Sequence, residues 1–153
     1  MNTIVSYNTV LYKPDEYSKL IKKLIRVVKT RKTKKNFDCI AFRGTSGAAA
    51  AYPISASTKI PIACVRKKGD SEHALQKVEG VWNANSYAII DDFVVSGETV
   101  HEIVKAMKES SPQAKLTTLF LYGNSARHET IKEIRKVCKL SKLVDIVILY
   151  DEK

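Results

Sequence analysis

The sequence predicts an α/β protein built on an open, mostly parallel twisted sheet flanked by helices. Short apolar runs of strand length alternate along the chain with segments of helical period. That alternation marks strand–helix–strand units with right-handed crossovers. The runs are almost continuously apolar, as strands covered on both faces require. Three distinctive loops follow strands, at Arg43–Gly47, Arg66–Gly80 and Asp91–Thr99. An open α/β sheet places its ligand beyond the carboxyl ends of its strands, so the three are expected to converge.

Each element has its own signal. Thr3–Tyr7 is expected to be a short strand. Pro14 then starts a helix, with Tyr17, Leu20, Ile21, Leu24, Ile25 and Val28 forming an apolar stripe. The Lys/Arg/Thr tract Thr30–Lys35 ends it. Phe37–Phe42 reads as a strand, Arg43–Gly47 as a loop, and Ala48 to about Ser57 as a close-packed helix. Ile60–Val65 is a strand, weakened at its start by Pro61. Arg66–Asn85 is polar without a period. It is too long for an ordinary connector, so it reads as a mobile functional loop. Tyr87–Ile90 is a strand ending in two acids, and Gly97–Glu109 is a helix with Val100, Ile103, Val104 and Met107 inward. Leu116–Tyr122 (strand), Ala126–Leu140 (helix) and Leu143–Tyr150 (strand) complete the order.

With 153 residues and no repeat, linker or low-complexity tract, residues 1–153 read as one domain. A hydrophobic share of 44% suits a folded soluble protein, and no apolar run approaches a membrane span. The N-terminal residues carry no secretory pattern, so a cytoplasmic location is expected. Cys39, Cys64 and Cys138 form no Cys-x-x-Cys pair and read as small buried hydrophobes. The net charge of +10 is concentrated in Lys19–Lys35, which has no acid. It is either a solvated helix face with its exit loop or a nucleic-acid surface, and no aromatic residues interleave to stack bases.

The segment Ala88-Ile89-Ile90-Asp91-Asp92-Phe93-Val94-Val95-Ser96-Gly97-Glu98-Thr99 carries the chemistry. A strand running into a small-residue turn and a helix N-terminus forms an anion cradle, with unpaired amides and the positive dipole end facing outward. Gly97 permits close backbone approach, and the Ser96 and Thr99 hydroxyls can donate to phosphate or cap the helix. Two acids beside such a cradle suit a polyol or a hydrated Mg²⁺. The combination points to a sugar phosphate. There is no Gly-x-Gly-x-x-Gly and no Gly-Lys-Ser/Thr phosphate loop.

This segment resembles the phosphoribosyl pyrophosphate (PRPP) motif of type I phosphoribosyltransferases: hydrophobic strand, two acids, short loop, Ser/Thr-Gly-x-Ser/Thr. The resemblance covers roughly residues 36–123. It implies that Asp91 and Asp92 hold the ribose hydroxyls and Mg²⁺, directly or through water. Val94, Val95, Ser96, Gly97, Glu98 and Thr99 would hold the 5′-phosphate. Arg43, Gly44, Thr45 and Ser46 are similar to the family's pyrophosphate loop, or form a plain turn with Thr45 or Ser46 as helix cap. The loop from Arg66-Lys67-Lys68-Gly69 to Gly80 resembles the mobile hood. Arg66, Lys67 and Lys68 would act in catalysis, and Lys67, Lys68 and His73 would meet pyrophosphate oxygens, with His73 otherwise a bystander. Trp82 is either packing or a base-stacking wall.

The reaction implied is transfer of the 5-phosphoribosyl group from PRPP to a nitrogenous base, purine or orotate-like, with release of pyrophosphate. The 6-oxopurine enzymes commonly carry an Asp immediately before the Ser/Thr-Gly pair. Here that position is Val95, which argues against hypoxanthine or guanine. A homodimer is implied by analogy. The alternative is a PRPP-binding regulator of nucleotide metabolism that contacts nucleic acid through Lys19–Lys35.

Overall fold

In a computed structural model, residue 3 and residues 8–67, 69, 76–123 and 130–149 are described. A 3₁₀ turn at Thr9–Tyr12 leads into α1 (Pro14–Lys35), β1 (Cys39–Phe42), α2 (Gly44–Thr58) and β2 (Ile62–Val65). Then follow β3 (Val78–Gly80), β4 (Ser86–Asp91), α3 (Glu98–Ser110), β5 (Lys115–Leu121), α4 (Ile131–Val137) and β6 (Asp145–Ile148). The strands form one open sheet in the order β3-β2-β1-β4-β5-β6. All pairings are parallel except β2–β3.

Strand periodicity sorts the core into two halves. On one face Cys39, Ala41, Ala63, Tyr87, Ile89, Leu119 and Leu121 meet α3 and α4 through Val100, Ile103, Met107 and Ile134. On the other, Ile40, Phe42, Ala88, Ile90, Phe120 and Tyr122 meet α1 and α2 through Ile21, Leu24, Val28, Ala50 and Ile54. The central strands are therefore buried on both sides, which is why they read as unbroken apolar runs. The small residues of α2 let it lie close: a β-carbon on Gly47 would stand 2.9 Å from Phe42 Cβ and 3.3 Å from Ile90 O.

The alternating order and the parallel sheet agree with the sequence, and four details differ. The polar stretch Arg66–Asn85 contains β3, an antiparallel edge strand of three residues with only Val78 buried. So short a strand offers no period to detect. Gly44–Gly47, expected as loop, form the first turn of α2. The 3₁₀ turn before α1 had no signal. The helix expected over Ala126–Leu140 is described over Ile131–Val137, where Thr130 and Glu133 form a reciprocal capping box. Residues 126–129, the strand expected over Thr3–Tyr7 apart from Thr3, and most of the expected mobile loop lie outside the described residues. Among the described residues no helix is long and apolar enough to cross a membrane.

Candidate functional site

The carboxyl ends of β1, β2 and β4 bring the first and third of these loops, and the start of the second, to one cleft of about 260 Å³. Its walls are Arg43–Ser46, Lys67 and the continuous stretch Asp91–Val100. Almost every described residue that the sequence singled out is there. Arg66 and Trp82 are exceptions: Arg66 Nη2 donates to Glu79 Oε2 on β3 at 2.7 Å, Trp82 is exposed, and neither is part of the lining. Lys68 and His73 lie outside the described residues.

The acid pair sits where β4 ends. Asp91 and Asp92 are both buried. Asp91 Oδ1 accepts from the Asp92 amide at 2.9 Å, and Asp92 Oδ1 accepts from the Phe93 amide at 2.8 Å. Each carboxylate is thus folded back on the next backbone amide, which fixes its direction. Burial pushes the Asp91 carboxyl up to about 8. The negative charge of Asp92 adds to the rise, and Lys67 partly offsets it. A pair in this state is short of positive charge. A cation or a set of hydroxyl donors would relieve it.

Beyond the acids the chain turns through Val94–Gly97 into α3. Gly97 has φ +79°, a left-handed conformation that costs any other L-residue. Ser96 Oγ accepts from the Glu98 amide at 3.3 Å, which satisfies one of the otherwise unpaired amides at the start of α3. The turn is also tightly backed: a β-carbon on Gly97 would stand 2.9 Å from Val137 O at the end of α4. Val95 is exposed and lines the cleft.

The opposite wall is basic. Gly44, with φ +76°, turns the chain sharply from β1 into α2. The end of the Lys67 side chain lies over it, with Nζ 3.1 Å from where a β-carbon would stand. Arg43 Nε is buried without a hydrogen-bond partner on the cleft wall. A buried guanidinium nitrogen without an acceptor is costly, and an anionic ligand is what would satisfy it.

Two residues that the sequence reading missed contact these walls, and one of them ties them together. The Tyr122 hydroxyl donates to Ser46 O at 2.5 Å, while its amide donates to Asp91 O at 3.2 Å. The next amide, Gly123, donates to Asp92 O at 2.6 Å. The end of β5 thus spaces the acid pair from the Arg43–Ser46 wall. Asn8 Nδ2 donates to Asp92 Oδ2 at 3.4 Å from the other end of the chain. A hydroxyl at the last position of a central strand was the only clue to Tyr122, and Asn8 had none.

The fold is that of the type I phosphoribosyltransferases. No family model matches the chain and no curated protein matches it by sequence, but solved structures do. Orotate phosphoribosyltransferase from Francisella tularensis superposes with a TM-score of 0.64 at 16% identity, over 88% of this chain and 66% of that one. Adenine phosphoribosyltransferase from Saccharomyces cerevisiae, complexed with an imino-altritol bisphosphate and adenine, gives 0.69 at 15% identity, over 92% and 82%. Orotate phosphoribosyltransferase from Mycobacterium tuberculosis, in complex with PRPP, gives 0.60 at 12% identity, over 82% and 71%.

Proposed function

We propose that this chain transfers the 5-phosphoribosyl group of PRPP to a ring nitrogen of a nucleobase. The observation that carries this reading is the gathering in one cleft of a buried acid pair, a helix-terminal phosphate turn and a basic wall. These match the three chemically distinct parts of PRPP. The turn Val94–Thr99 presents backbone amides and the positive end of α3 to the 5′-phosphate. Asp91 and Asp92 accept from the ribose hydroxyls. Arg43, the first turn of α2 and Lys67 take the pyrophosphate. The orotate and adenine enzymes that share the fold support the reaction class.

In the reaction the base nitrogen forms a bond to C1 of the ribose as the C1–O bond to pyrophosphate breaks, and the proton of that ring nitrogen passes to solvent. Pyrophosphate leaves with the electron pair. Negative charge grows on the leaving oxygen, next to Arg43 and Lys67, and preorganised cations there lower the barrier. Tyr122 contributes by holding the distance between this wall and the ribose-binding acids.

The acid pair also fits Mg²⁺. Among the described residues no third His, Cys, Asp or Glu joins the two carboxylates in a metal-binding group. Such a sparse donor set suits a cation that keeps several waters and takes oxygens from its substrate. When bound, the ion would neutralise charge on the departing pyrophosphate. Val95, at the position before Ser96-Gly97, supplies no proton acceptor, so adenine or orotate is the expected acceptor class rather than hypoxanthine or guanine.

The test is a calorimetric titration with PRPP and Mg²⁺, followed by pyrophosphate release with adenine, guanine, hypoxanthine, xanthine, uracil and orotate. Binding is expected, with turnover on adenine or orotate, and Asp92→Asn is expected to weaken PRPP affinity. Absence of PRPP binding would overturn the reading.

A further inference from the structure

Four exposed cations of α1 share one side of the helix and have no acidic partner among the described residues. Lys19, Lys22, Arg26 and Lys29 recur at intervals of three and four residues, which places them in one row along the helix. All four are exposed. The buried stripe Ile21, Leu24 and Val28 faces the other way, into the core. No ion pair among the described residues includes any of the four. The basic residues nearer the end of α1 are used differently. Arg31 and Lys35 pair with Asp145 at 3.0 and 3.4 Å, and Lys32 Nζ donates to Phe37 O at 2.6 Å. The charge block therefore divides into a part that fastens α1 to the sheet and a part left free.

The free row runs into a groove. Lys29, Lys32, Thr33, Asn36, Thr58 and Ile60 surround about 600 Å³ of open space between the ends of α1 and α2. Asn36 precedes β1 and Ile60 precedes β2. The groove thus lies at the amino ends of the strands, opposite the cleft at their carboxyl ends.

We propose that this face binds single-stranded nucleic acid, with consecutive phosphates along the row and one nucleotide entering the groove. At a rise of about 1.5 Å per residue the row is ~15 Å long, with steps of ~4.5–6 Å. Flexible Lys and Arg side chains can match those steps to the phosphates of an extended strand. The row carries no aromatic side chain, so recognition is through the backbone and independent of sequence. A lipid surface fits less well. An interfacial helix binds by inserting its apolar face, and that face of α1 is already buried.

The experiment is fluorescence anisotropy of a labelled oligouridylate and the full chain over a range of KCl concentrations. The expected log–log salt slope is about −3, from ~0.7 per phosphate and four phosphates. The double variant Lys22→Gln, Arg26→Gln is expected to bring the slope to about −1.4 and to weaken binding roughly tenfold or more at low salt. A charge-matched control, Lys105→Gln with Lys108→Gln on the exposed face of α3, is expected to bind like the parent. Both variants alter only exposed side chains, so their thermal midpoints and PRPP titrations should be unchanged. Failure of the parent to bind would overturn the proposal. So would equal losses in the two double variants, since that is diffuse attraction to a cationic protein. Binding to phosphatidylserine vesicles without binding to the oligonucleotide would replace it with a membrane surface.

Discussion

Gly44 and Gly97 pose the same backbone problem in different surroundings, and substituting each with alanine separates two costs. Their φ angles, +76° and +79°, are nearly equal, so the left-handed penalty is the same, about 1–2 kcal/mol. What a new β-carbon meets is different. At Gly44 it meets the flexible end of Lys67 at 3.1 Å, which can swing aside. At Gly97 it meets Val137 O at 2.9 Å and Val137 C at 3.2 Å, backbone held by α4. Forced overpacking of this kind adds about 1–3 kcal/mol. Gly44→Ala should therefore cost ~1–2 kcal/mol and Gly97→Ala ~2–5 kcal/mol, read from urea unfolding with PRPP absent. Function should sort them differently. Gly44→Ala displaces the Lys67 amine and should weaken pyrophosphate binding beyond its small effect on stability. Equal stability losses in the two variants would refute the claim that the end of α4 backs the phosphate turn rigidly.

Three other outcomes are expected. The native Asp91 carboxyl holds its proton up to about pH 8, whereas in the unfolded chain it releases it near 3.8. Its contribution to stability is complete below pH 4, declines as pH rises, and is gone above about 8. The urea midpoint of the ligand-free protein should fall between pH 5 and 8, and Asp91→Asn should flatten that fall. Tyr122→Phe removes only the hydroxyl that reaches Ser46. It should lower kcat more than it raises the KM for PRPP, at a stability cost of ~0.5–1.5 kcal/mol, and an unchanged kcat would show that this spacing does not matter to the reaction. Burial pushes the Cys39 thiol up to about 12 and the Cys138 thiol up to about 11. Both should resist iodoacetamide at pH 8 until urea is added, as mass spectrometry would reveal.

What the sequence made legible was what is local. β1, β4 and β5 read clearly because both of their faces are covered, and the acid pair and the turn after it read clearly because twelve consecutive residues build them. The meeting of Arg43–Ser46, Lys67 and Asp91–Thr99 followed from topology. β3 was missed because one buried residue in three makes no pattern. The start of α2 was misplaced because Gly44-Thr45-Ser46-Gly47 has turn composition, yet it forms the first turn of a helix that the alanines behind it sustain. Asn8 and Tyr122 were out of reach for another reason. They bond to partners 84 and 76 residues away, and no spacing rule extends so far. Arg66 looked like one basic residue among three until Glu79 appeared opposite it across a strand pair that had not been foreseen.

The contact between Gly97 and Val137 bears on how the chain can be divided. Every described residue that faces the cleft precedes Gly123, so a fragment ending there would keep all the described cleft-lining groups in order. It would still lose the wall behind the phosphate turn, because α4 presses on Gly97 from the back and itself rests beside β6. Grafting the Asp91–Thr99 segment onto another parallel sheet would meet the same obstacle. The turn is shaped from behind by a helix that lines no part of the cleft, and the portable unit is therefore the turn together with that helix.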